Sequence, residues 1–257
     1  MKPPHPGVAG ASASYWVATR APRYSLVFAI PLFLLYEALA VGLAGDPQVG
    51  GVRNAADVLL KTPFVLFSGA RGSMAFFATV MAVCVFLIAR DLTRSGARIE
   101  PRMFLLMLGE SAVLALLLGV LVGALTQQVL GGLSALTVQL TGAPLEALGW
   151  RVKLMLSLGA GLYEELLFRV ILVGGLAAGL HWLVGGARFA TGLVAAVVGA
   201  LIFSAFHYVG EYGDPLELGS FTYRAIAGLV FSGLYLTRGF GVTAWTHALY
   251  DVYVLLL

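Results

Sequence analysis

Apolar residues run along this chain in blocks of near-bilayer length, separated by short polar or glycine-bearing stretches. A helix needs about 20 mostly apolar residues to cross the hydrocarbon core. The blocks at about 24–44, 73–89, 103–126, 154–180, 189–208, 224–237 and 241–257 therefore predict transmembrane helices. The sixth block is short and only RGFG separates it from the seventh, which predicts a tight hairpin. Between the first two blocks, VRNAADVLLKTPFVLF mixes charged and apolar side chains and predicts an amphipathic helix along the membrane interface. The stretch 128–150 has a similar mixture, and Gly131, Gly132 and Pro144 argue against a continuous span there. The expected fold class is all-α, a polytopic transmembrane helical bundle of about seven spans.

Composition sharpens this picture. The chain is 60% hydrophobic and 11% charged, against about a quarter charged in an ordinary soluble domain. No polar stretch is long enough to fold as a separate soluble domain, so the expectation is an N-terminal arm at 1–23 and a single transmembrane domain at 24–257. The net charge of +3 sits mainly at the ends of apolar blocks rather than among aromatics, which suits topology signals and not nucleic-acid binding. Cys84 is the single cysteine, so neither an intrachain disulfide nor a thiolate metal cluster is expected. The first block follows Arg20 and Arg23 and exceeds the roughly 7–15 residues of a signal-peptide core, so it reads as a retained span. The positive-inside rule places Lys2, Arg20 and Arg23 together with Arg90, Arg94, Arg98 and Arg102 on the cytoplasmic side. The acidic loop with Glu211, Asp214 and Glu217 then falls outside, as does the C-terminus if every block spans. The Ala-, Gly- and Arg-rich composition points to a bacterial inner membrane.

The chemistry begins where charge interrupts the apolar block 154–180. LYEELLFRV, residues 162–170, carries Glu164, Glu165 and Arg169. Each charge at the centre of a membrane helix costs roughly 2.5 to 3.5 kcal/mol, so these residues must face protein or a wet cavity. At the α-helical angle, Glu165 and Arg169 are four apart and can pair, whereas Glu164 diverges from Arg169 and is left for other work. Downstream, FSAFHY supplies His207, and THALYD supplies His247 with Asp251 four residues on, on one helix face. Taken singly, each has an ordinary explanation. The Glu165–Arg169 pair is structural, a lone interfacial histidine is merely satisfied, Glu37 and Glu110 serve helix packing, and Trp182 and Trp245 anchor at the interface, Trp245 also being a candidate wall of the site. In combination, three apolar segments each contribute acid, base or ligand groups. If they converge, Glu164, His207, His247 and Asp251 form one buried polar site, supported by Glu165 and Arg169.

EELLFR (164–169), FSAFH (203–207) and HALYD (247–251), in this order, resemble the three motifs of the CAAX protease and bacteriocin-processing (CPBP) family of intramembrane proteases, over about 150–257. The resemblance implies that Glu164 acts as general base on a water with help from His207. It also implies that Arg169 and Glu165 hold the first motif, and that His247 with the residue four later stabilises the oxyanion. Many members carry Asn at that last position, whose amide donates. Ionised Asp251 only accepts, so it is expected to orient His247 through a ring N–H.

The expected function is an intramembrane endopeptidase of the glutamate type, acting on a membrane-associated protein or peptide. No cofactor is expected. The alternative is a Zn²⁺ enzyme with His207, His247, Glu164 and Asp251 as ligands, but HExxH is absent and each of those residues has a metal-free role. A proton-coupled transporter would spread polar groups through both halves of the chain, whereas here they concentrate in the C-terminal half. A non-catalytic scaffold or immunity factor is disfavoured by the full motif set.

Overall fold

The computed structural model describes residues 15–46, 49–96, 98–131, 148–185, 187–210 and 213–256, and among these the ordered elements are all helical. Helix α1, Pro22–Leu43, opens on a proline in its first turn, where a missing N–H costs nothing. Helix α2, Ala55–Ser68, is capped by Asn54, whose side chain accepts from the N–H groups of Ala56 and Asp57. A short turn at Gly69–Arg71 follows, with Gly69 at φ 56°, and α3 occupies Gly72–Ser95. Here the chain doubles back, since the Phe64 and Phe76 rings meet edge-on at 5.3 Å. Helix α4 covers Arg102–Leu130. Helix α5, Trp150–Gly159, runs without a break into a π-helix at Ala160–Val173 and then α6 at Gly174–Val184. Helices α7 (Arg188–Phe206), α8 (Leu218–Arg238) and α9 (Phe240–Leu256) complete the chain.

Five helical stretches are long and apolar enough to cross a membrane: Pro22–Leu43, Ala55–Ser95, Arg102–Leu130, Trp150–Val184 and Arg188–Phe206. The blocks expected at 224–237 and 241–257 are helices α8 and α9, of 21 and 17 residues, outside those five. Only Gly239, at φ 79°, separates them. Most of the stretch 128–150 lies outside the described residues, as do Glu211 and the arm before residue 15.

The bundle is organised around α9, which packs on α1, α4, α5 and the π-helix. Small residues set that approach. A Cβ on Gly161 would strike the Ala244 carbonyl oxygen and lie 2.6 Å from Ala248 Cβ, so the backbones of the π-helix and α9 nearly touch. The core around this contact joins Leu32, Tyr36, Met155, Leu162, Tyr163 and Ala248. Large apolar side chains such as Leu105, Val120, Trp182 and Phe189 point outward, as expected when the surrounding solvent is lipid. Arg23 Nη1 sits 2.8 Å from Asp91 Oδ2 and the Glu100 N–H donates to the Tyr24 hydroxyl at 2.9 Å. The start of α1 and the Arg-rich connection after α3 therefore share one end of the bundle. Arg238 joins the end of α8 to α4 through Glu110 (2.5 and 2.7 Å) and lies 3.8 Å above the Trp16 ring.

Helix α2 differs from the expected interfacial helix. Its Asp57 and Lys61 are buried, while Val58, Leu59, Leu66 and Phe67 are exposed. The polar face turns inward because it finds partners there: Lys61 Nζ lies 2.6 Å from Glu37 Oε1 and 2.7 Å from Asp57 Oδ1. Arg53 adds a second cation, 3.4 Å from Asp57 and 3.7 Å from Glu37. Tyr163 donates its hydroxyl to Glu37. Polar groups are thus not confined to the C-terminal half, contrary to the hydropathy reading. Two carboxylates and two cations compensate one another inside the N-terminal half.

Candidate active site

The EELLFR motif sits in the π-helix. A π-helix bonds i to i+5 and is rare outside functional sites. Its wider turn brings residues five apart, such as Glu164 and Arg169, nearer to one face than an α-helix would. Arg169 selects Glu165 even so: Nε is 3.2 Å from Glu165 Oε2, with both side chains essentially inaccessible. The guanidinium lies 4.4 Å from the Phe203 ring centre and 5.3 Å from that of Phe231, a cation–π clamp. Among the described residues its nitrogens make no hydrogen bond. The ion pair and the two rings hold it instead.

Glu165 has a second partner. Its Oε1 faces His247 Nδ1 at 2.7 Å. A carboxylate oxygen accepts, so Nδ1 carries the proton and Nε2 is turned the other way, 3.8 Å from Asp251 Oδ2. The imidazole stacks on Phe231 at 4.3 Å. The hydrogen bond to a ring N–H that was expected of Asp251 is thus made by Glu165. A side chain four residues along the same helix reaches only the edge of the ring, whereas the π-helix presents Glu165 squarely to Nδ1.

His207 closes α7 as its C-terminal cap. Its Nδ1 donates to the Phe203 carbonyl at 2.9 Å, which leaves Nε2 aimed at Glu164 Oε2, 3.9 Å away. That gap exceeds hydrogen-bond length and suits one bridging water. Glu164 is 8% exposed, and its other oxygen, Oε1, accepts from Asn54 Nδ2 at 2.8 Å. The structure thus sets half-buried His207 facing Glu164, and buried His247 between Glu165, the next residue, and half-buried Asp251, with Arg169 behind Glu165. Asn54 joins them from the N-terminal half. Its signal in the sequence is the capping position before an apolar helix, together with the four-residue spacing of Arg53, Asp57 and Lys61 that keeps one polar face.

Trp245 does not wall this centre. Its Nε1 donates to the Phe28 carbonyl at 2.6 Å and its ring meets Phe28 at 5.5 Å. A cavity of about 610 Å³ opens between α1, α3 and the π-helix, lined by residues such as Ala29, Phe33, Val80, Leu166 and Val170, and none of the four site residues lines it. Among the described residues no group of three or more His, Cys, Asp or Glu is disposed to hold a metal ion.

No curated protein and no solved structure matches the chain. One family model does. Residues 146–253 match the family described as type II CAAX prenyl endopeptidase Rce1-like, so the family likeness carried by the three motifs is shown over that segment, which includes every residue of the site except Asn54.

Proposed function

We propose that the chain is an intramembrane endopeptidase that hydrolyses a peptide bond in a membrane-associated protein or peptide with a water activated by Glu164 and His207. The family match supports CAAX-type peptidase activity. The observation that carries the finer reading is the 3.9 Å gap between Glu164 Oε2 and His207 Nε2. A water bridging the two loses its proton to the carboxylate as it attacks the carbonyl carbon. In the neutral ring, whose one proton lies on Nδ1 and is donated to the Phe203 carbonyl, His207 Nε2 accepts a hydrogen bond from that water and orients it. The oxyanion then needs a donor, which His247 Nε2 provides once the ring is an imidazolium, a state favoured by the carboxylates of Glu165 and Asp251 on either side. Collapse of the tetrahedral intermediate breaks the C–N bond, and Glu164 passes its proton to the leaving amine.

The mechanism assigned here uses no metal. Zinc would recruit Glu164 and Asp251 as ligands with the two histidines and leave only Glu165, already committed to Arg169 and His247, for the water's proton. A proton relay across the bilayer is disfavoured because the N-terminal carboxylates Glu37 and Asp57 are held in ion pairs with Lys61 and Arg53. The test is cleavage of a lipid-anchored CAAX peptide by the purified protein in liposomes made up in ¹⁸O water. One ¹⁸O in the new C-terminal carboxylate supports hydrolysis; an intact peptide with this and other membrane-anchored peptides overturns the peptidase reading.

A further inference from the structure

Asn54 lies outside the three motifs and before the segment that the family model matches. Its side chain nevertheless ends on the carboxylate assigned as base, with Nδ2 2.8 Å from Glu164 Oε1. The amide cannot be turned over. Oδ1 accepts the N–H groups of Ala56 at 2.9 Å and Asp57 at 3.4 Å, so flipping it would set the NH₂ group against two donors. The helix start that carries it is also fixed. The Asn54 N–H donates to the Tyr36 hydroxyl at 3.3 Å, and that hydroxyl donates to Asp57 at 2.8 Å. Asp57 is in turn paired with Lys61 at 2.7 Å. Gly159 makes room for the arrangement, since a Cβ there would come within 2.9 Å of Asn54 Cβ and 2.5 Å of the Tyr36 ring.

The two oxygens of Glu164 therefore have different neighbours: Oε1 the amide, Oε2 the imidazole of His207. We propose that Asn54 is a positioning residue for the hydrolysis, occupying Glu164 Oε1 so that Oε2 is the oxygen presented to His207 and to the attacking water. The inference rests on the glutamate-base reading above. It makes the N-terminal half part of the active site and gives the inward polar face of α2 a purpose, which is to hold one amide in one orientation. Without the donor the carboxylate is free to rotate about its last torsion, and the geometry on which proton transfer depends is lost.

A purely structural role makes a different prediction. A helix cap needs only an acceptor, and Asp and Ser cap as well as Asn, whereas Ala does not. Only the amide donates to Glu164. Three variants, Asn54→Asp, Asn54→Ser and Asn54→Ala, are therefore compared in liposomes for kcat, KM and Tm, beside Glu164→Gln. Positioning predicts that Asn54→Ser, with Tm close to that of the parent, loses kcat by about tenfold or more with KM within about twofold. Asn54→Asp shows the same split, and if its added carboxylate prevents folding, Asn54→Ser alone decides. If the Asp and Ser variants keep kcat within about twofold and only Asn54→Ala loses activity in step with Tm, Asn54 is a cap and the proposal is overturned. Cleavage by Glu164→Gln at the parent rate would instead remove the glutamate-base reading and this inference with it. An inactive Glu164→Gln beside fully active Asn54→Ser removes the inference alone.

Discussion

Glu165 holds two side chains at once: Oε1 accepts from His247 Nδ1 at 2.7 Å, and Oε2 lies 3.2 Å from Arg169 Nε. One carboxylate thus balances a buried guanidinium and fixes an imidazole, linking the first motif to the third. Replacing Arg169 by Ala removes the guanidinium that balances Glu165 and leaves the buried carboxylate only the His247 N–H, at a cost of about 3 to 5 kcal/mol. The expected outcome is lower abundance and a lower Tm in detergent, with residual activity scaling with folded protein. Parental expression and melting would show that the pair does not support the fold.

Asp251 lies 3.8 Å from His247 Nε2, beyond hydrogen-bond distance, while the ring N–H at Nδ1 goes to Glu165. Asp251→Asn keeps the shape and adds a donor beside the developing oxyanion. We expect kcat to stay within about tenfold of the parent. A loss of more than about a hundredfold at equal folding would show that the ionised carboxylate is required.

The helical bundle and the motif residues were legible in the sequence because a bilayer imposes long apolar blocks and makes every charge inside them conspicuous. Glu164, His207, His247 and Asp251 stood out for that reason, and in the structure His207 faces Glu164 while His247 lies between Glu165 and Asp251. Three features were not legible. The π-helix differs from an α-helix by one residue in its bonding ladder, and nothing in AGLYEELLFRVILV marks the change. The inward polar face of α2 was misread because a charged face on an apolar helix is ordinarily turned to water, and its partner Glu37 lies on another helix. Asn54 was missed because its contact with Glu164 joins residues far apart in the chain, and capping alone accounts for an Asn at that position.

The shared end of α1 and α3, joined by Arg23 and Asp91, carries the basic residues that set orientation. A reporter fused after Arg94 should read cytoplasmic, and one between residues 211 and 217 should read external. Inverted signals would reverse the placement of the chain.

Metal dependence is tested by stripping. The purified protein, dialysed against a strong chelator and assayed in metal-free liposomes, should keep its kcat within about twofold. Activity lost on chelation and restored by stoichiometric Zn²⁺ would make His207, His247 and a carboxylate its ligands and displace Glu164 as base.

The central claim is that Glu164 takes the proton of the attacking water, and the Glu164→Gln variant tests it most directly. The amide keeps the shape of the side chain and its place beside Asn54 and His207, but it cannot accept that proton. At equal abundance and with Tm close to the parent's, kcat should fall by about 10² or more. Cleavage at the parental rate by the folded variant would contradict the account.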